Sequence, residues 1–137
     1  MSDKPAVKQL RLVVEAEDFD EAVAFYRDVL GLEEEFFVES EDGALVMALQ
    51  AGRATLELVN PAQRRLIDRL EVGQDVSRSI RVAFEVTDAH RATESLVEGG
   101  AQLVARPTET PWGSLNSRLE GPAGLQLTLF EELQGRR

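Results

Sequence analysis

The order strand, helix, three strands runs twice along the 137-residue chain, and this duplication restricts the fold more than any single local propensity. In the first unit Leu10, Leu12, Val14 and Ala16 alternate with Gln9, Arg11, Val13 and Glu15, the period-two pattern of a half-buried strand. Phe19, Ala22, Val23, Tyr26, Val29 and Leu30 then fall at helical spacing, with Asp18 and Glu21 as a capping box and Gly31 as a left-handed stop. Strands are expected at Glu33 to Glu39, Ala44 to Gln50 and Ala54 to Val59, separated by Gly-containing turns and therefore an antiparallel meander. The second unit repeats this order with a strand at Ser79 to Thr87, a helix at Asp88 to Glu98 and strands at Ala101 to Arg106, Ser114 to Leu119 and Leu125 to Phe130. Setting Asp18 on Asp88, an offset of 70 residues, superposes Arg11 on Arg81, Glu15 on Glu85 and Ala22 on Ala92. The expectation is an α+β fold in one domain spanning residues 1–137. Its parts are a first βαβββ module at 8–60, a helix from Pro61 to Leu70 with a polar linker to residue 77, a second module at 78–131, and a tail at 132–137.

Composition narrows the chemistry. A chain with 43% hydrophobic and 29% charged residues has the balance of a globular domain and can bury a core without staples. The absence of Cys removes disulfides, thiolate catalysis and Cys-based metal centres. A formal charge of −10 repels a phosphate backbone, so no nucleic-acid partner is expected. The polar stretch Met1 to Lys8 carries no apolar core, and nothing approaches the roughly 18 apolar residues of a spanning helix, so a cytoplasmic protein with no membrane partner is expected. There is no phosphate-binding Gly loop, no nucleophile elbow and a single His, His90.

Strand parity assigns side chains to faces. Leu10, Leu12 and Val14, with Ile80, Val82 and Phe84, form apolar faces expected to pack beneath the two helices. Arg11, Val13, Glu15 and Arg81, Ala83, Glu85 then share the opposite face, joined by Glu57 from the fourth strand and by Gln126, Thr128 and Phe130 from the last.

Four stretches carry a family resemblance: LVVEAEDFDEAVAFYRDVLG at 12–31, ATLELVN at 54–60, VAFEVTD at 82–88 and GPAGLQLTLFE at 121–131. They resemble the vicinal oxygen chelate superfamily, which includes glyoxalase I, bleomycin-resistance proteins, fosfomycin-resistance enzymes and extradiol dioxygenases. The resemblance covers nearly the whole chain and implies that the two modules form a cup-shaped, curved mixed sheet with helices on its outer face and the ligand inside. Metal-dependent relatives carry His or Glu on the first, fourth, fifth and eighth strands. Those positions are Arg11, Glu57, Arg81 and Thr128, and only Glu57 has a ligating side chain, because a guanidinium offers no lone pair. No metal and no cofactor are therefore expected, and metal-dependent glyoxalase or dioxygenase activity is disfavoured.

The candidate ligand-binding residues are Arg11, Glu57, Arg81, Thr128, Glu15, Glu85 and Trp112. Two readings of the Arg and Glu set stand side by side: a structural network that replaces the metal, and a polar clamp for a carboxylate, phosphate or carbonyl. Trp112, the only Trp, lies in the Pro- and Gly-bounded stretch 107–113, where it covers a flat ligand or packs in a dimer interface. The acidic run Glu33, Glu34, Glu35, Glu39, Glu41 and Asp42 reads as a solvated strand edge, or as an attractor of a cationic guest. The expected function is a metal-independent, small-molecule-binding protein of the resistance type that sequesters a drug or reactive metabolite. An enzyme of the same superfamily, of lyase, isomerase or dioxygenase type, is the alternative. A homodimer is expected because short curved sheets leave edges and apolar faces that association covers.

Overall fold

A computed structural model describes residues 5–133, and the end of the expected tail, residues 134–137, lies outside the described residues. The first module contains β1 (Val7–Glu15), α1 (Phe19–Val23), β2 (Glu33–Glu39), β3 (Leu45–Ala51) and β4 (Ala54–Val59). A connecting helix, α2 (Pro61–Glu71), leads to β5 (Ile80–Val86), α3 (Ala89–Glu98), β6 (Gln102–Glu109), β7 (Ser114–Gly121) and β8 (Leu125–Glu132). All eight strands join in one mixed sheet of order β2-β3-β4-β1-β5-β8-β7-β6, so each module has the same internal order and the two meet along the antiparallel pair β1·β5. The modules thus pair within one chain.

Register makes the internal symmetry explicit. Val13 is the partner of Glu57 on one side and of Arg81 on the other, while Ala83 lies between Arg11 and Thr128. The rows Glu57, Val13, Arg81 and Thr128, Ala83, Arg11 are therefore related by a pseudo-two-fold between Val13 and Ala83, and Thr128 is the structural counterpart of Glu57. The helices cover the flanking strands of the outer face. There Phe19 and Val23 of α1 pack on Met47, Leu49 and Leu58, and Ala89 and Ala92 of α3 pack on Leu119, Leu127 and Leu129.

Local chemistry explains the element ends. Asp18 accepts the Glu21 N–H at 3.1 Å, Asp88 accepts the Arg91 N–H at 3.1 Å, and Asn60 accepts the Gln63 N–H at 2.8 Å, with Pro61 in the first turn of α2. Gly31 has φ +91°, the left-handed stop that its position requires.

Several expectations are corrected. The helix expected to run regularly from Asp18 to Gly31 is α-helical only to Val23 and then π-helical over Ala24–Val29, closed by Leu30 N–H donating to the Phe25 carbonyl at 2.9 Å. The wider turn rotates the stripe off the sheet after Tyr26, leaving Val29 and Leu30 exposed. Leu10 and Ile80 are also exposed, because α1 and α3 sit over the flanking strands and leave the outer face of the β1·β5 seam partly open. Val97, at an expected apolar position of α3, is also exposed. Pro107 to Glu109 belong to β6, which shortens the loop around Trp112. Glu71, expected to begin a polar linker, is instead the last residue of α2 and is buried.

Candidate ligand-binding site

The concave face of the sheet and α2 border an open cavity of about 860 Å³. Arg11, Glu57, Arg81, Thr128 and Trp112, brought forward by parity, motif or composition, all line it, as do Val13, Ala83 and Phe130. Glu15 and Glu85 do not. Glu15 turns to Arg64 of α2 at 3.2 Å and Glu85 to Lys8 at 3.9 Å, at the ends of the central strands. Gln126 shares the cup face but is engaged by the linker, donating to the Val76 carbonyl at 3.0 Å and accepting the Arg78 N–H at 2.8 Å. His90 is exposed on α3, outside the cup. Within the acidic run, Glu35 approaches Arg11 at 3.9 Å and Glu41 lines the cavity, while Glu33, Glu39 and Asp42 are exposed.

Two of the three guanidinia on the cup floor are occupied. Arg11 meets Glu57 at 3.4 Å, donates from Nε to Gln9 Oε1 at 2.6 Å, and lies between the rings of Phe36 and Phe130, 5.4 and 5.3 Å from their centroids. Ring faces stabilise a cation that has given up part of its hydration. Arg118 is more completely held: Nε donates to Glu71 at 2.7 Å, one terminal nitrogen to Asp68 at 3.0 Å and the other to Ser77 Oγ at 3.0 Å. Asn116 adds a bond to Glu71 at 2.6 Å, and Ser114 Oγ donates to Asn116 at 2.7 Å.

This buried network ties α2 to β7, and it was not drawn from the sequence. Its signal was there: Ser114, Asn116 and Arg118 alternate with Leu115, Ser117 and Leu119, so β7 presents polar side chains to the cup where the duplicate strand β3 presents Val46 and Ala48. Asp68 is fully buried and also accepts the N–H groups of Val76 and Ser77 at 2.9 and 2.8 Å and the Ser77 hydroxyl at 2.5 Å. Burial pushes its carboxyl up, but the bonds from Ser77, the charge of Arg118 and the Val76 N–H together hold it below the usual carboxylate range.

Arg81 differs from both. It is 8% exposed, and its Nη1 donates to Thr128 Oγ1 at 2.8 Å, its one side-chain hydrogen bond among the described residues. Burial, reinforced by the charge of Arg118, holds this guanidinium below its ordinary range against the longer-range pull of Glu71, Glu57 and Asp68.

The metal that the resemblance implies does not fit this donor set. Arg81 occupies one ligand position and hydrogen-bonds a second, Thr128, while Arg11 occupies a third and pairs with Glu57. Among the described residues no three His, Cys, Asp or Glu side chains gather as a metal-binding group.

Fold and site together define a paired-module cup with an open, mostly apolar cavity of ligand size that carries a few polar groups. The model of the Glyoxalase/Bleomycin resistance protein/Dioxygenase superfamily matches residues 8–129, and the chain belongs to that superfamily. Among solved structures, methylmalonyl-CoA epimerase from Mycobacterium tuberculosis is similar at TM-score 0.69 and 20% identity, covering 96% of this chain and 93% of that one. A Streptomyces coelicolor methylmalonyl-CoA epimerase variant in complex with 2-nitronate-propionyl-CoA gives TM-score 0.68 and 19% identity over 93% of this chain and 99% of that one. A hypothetical protein from Bacillus halodurans C-125 gives TM-score 0.68 and 15% identity over 97% and 98%. At these identities the likeness is one of fold. No curated protein sequence matches the chain significantly.

Proposed function

We propose that this chain is a metal-independent small-molecule-binding protein of the glyoxalase/bleomycin-resistance type, acting in the cytoplasm by sequestering a drug or reactive metabolite. The observation that carries this reading is a cavity of about 860 Å³ whose floor bears Arg11 and Arg81 where metalloenzymes of the superfamily need ligating side chains. Its walls supply what a bound organic molecule needs: apolar surface from Val13, Phe36, Ile67 and Leu70, a few fixed polar groups, and Trp112 at the mouth. Trp112 is the only Trp, so its fluorescence reports occupancy directly. Titrating a library of small organic molecules against the purified protein should shift that emission and raise the melting temperature. Elemental analysis after metal-supplemented expression should find no stoichiometric divalent ion, and one coordinated by Glu57 would sink the idea.

The alternative, an enzyme of the same superfamily, draws support from the epimerase neighbours, which act on a CoA ester. A turnover screen without added metal separates the two readings. We further propose a homodimer, supported by Leu10 and Ile80 left open on the outer seam; sedimentation should give about twice the chain mass, and a concentration-independent monomer would refute it.

A further inference from the structure

We propose that the second-module half of the cup is a carboxylate site, in which Arg81 and Thr128 hold the head group of a monocarboxylic acid whose apolar body extends toward Trp112. This rests on the reading of the cup as ligand-binding and adds the chemical class of the ligand.

A guanidinium has five N–H donors, and a buried one is costly unless those donors and its charge are met. Arg11 and Arg118 are met by carboxylates, aromatic faces and amide or hydroxyl oxygens. Arg81 lines the cavity, is more than nine-tenths buried, and among the described residues spends one donor on a neutral hydroxyl. A carboxylate answers that deficit, since its two oxygens match the fork of a guanidinium with paired, charge-assisted bonds. Thr128 contributes a second donor: its oxygen accepts from Arg81, which leaves its own proton for a ligand oxygen.

Charge selects within the anions. Glu57, Glu71 and Asp68 act on Arg81 from beyond contact distance and already offset part of its field. A dianion such as phosphate would meet their repulsion, whereas a monoanion completes the balance. The remaining wall, from Val13, Ala83, Phe130, Ile67, Leu70 and Leu133, suits an aryl or alkyl body.

The test titrates Trp112 fluorescence with benzoate, phenylacetate and octanoate, each beside its own amide, and with inorganic phosphate. At least one acid should bind about tenfold or more tightly than its amide and than phosphate, a margin of about 1.4 kcal/mol or more. Arg81→Met should lose that preference while melting at or above the wild-type temperature, because a buried cation without a contacting counter-charge has been removed. Arg81→Lys should retain part of the preference. Should Arg81→Met fail to fold, Thr128→Val and Arg81→Lys carry the same comparison, each expected to weaken acid binding more than amide binding. Equal binding of acid and amide to the wild type overturns the carboxylate assignment and leaves the cup a binding site. Preference for the acid persisting in Arg81→Met overturns the role of Arg81, and phosphate binding more tightly than every acid overturns the monoanion. If no acid, amide or library compound perturbs Trp112 or the melting temperature, the ligand-binding reading falls with it.

Discussion

The two modules share a topology and a register, yet they build opposite halves of one cup. In the first module the floor residues Val13, Val46 and Ala48 are apolar, and the carboxylate of Glu57 is matched by Arg11 at 3.4 Å. In the second, the equivalent strands present Ala83, Asn116 and Arg118, and Thr128 replaces the carboxylate. Losing Glu57's counterpart leaves Arg81 without the partner that Arg11 has, while gaining Arg118 would add an unmet buried cation if α2 did not bring Asp68 and Glu71 down to it. Duplicated backbones thus carry different electrostatic solutions, with Arg118 answered by carboxylates from the connecting helix and Arg81 met only by a hydroxyl.

The largest effects should come from breaking the answered half. Asp68→Ala leaves Arg118 short of one of its two carboxylates and removes the caps on the Val76 and Ser77 N–H groups, so denaturant unfolding should show a loss of about 3 to 5 kcal/mol. The combined replacement of Asp68, Glu71 and Arg118 by apolar residues of similar size should recover most of that loss, since no member of this network is then left as an unpaired buried charge.

Glu57→Gln is the matching cut in the first module and should cost less, about 1 kcal/mol, because Arg11 keeps Gln9 and the two rings. Next comes pH. Asp68 titrates in the folded protein below its unfolded value, so it contributes stability above about pH 4, and that contribution is lost as pH falls through the folded value. A wild-type stability curve that steepens below about pH 4, and a shallower one for Asp68→Asn, would confirm which half of the cup fails first in acid. The smallest effect should be at Gln63, whose buried Oε1 has no hydrogen-bond partner among the described residues. Gln63→Met should change stability by no more than about 0.5 kcal/mol, and a larger loss would show that this amide serves the polar half.

Strand parity and the 70-residue offset were enough to bring Arg11, Glu57, Arg81 and Thr128 to one cavity, because period-two alternation fixes facing wherever a strand has one dry side. Parity alone could not separate the middle of a strand from its ends, so Glu15 and Glu85 shared the face without reaching the cavity. The position of α2 was illegible for a different reason. Hydropathy places Leu66 and Ile67 inward and Asp68 and Glu71 outward, whereas all four are buried, and the partner that permits this, Arg118, lies 50 residues from Asp68. Burial of a charge is decided by a distant residue, and local periodicity carries no record of it. The π-helical turn was hidden likewise, since an apolar stripe through Leu30 reads the same whether or not the turn widens.

A tandem of two units has only one junction, and here the junction Pro61 to Ser77 folds over the cup and has no twin. Without it, the pseudo-two-fold through Val13 and Ala83 would let a guest lie in the cup in two nearly equivalent ways. With Arg118 sealed by the junction and Arg81 left open, those two poses differ in energy, and the cup has a head and a tail. Under the proposed ligand-binding reading, the direction in which an elongated guest lies is therefore set by the connecting segment rather than by either repeated unit.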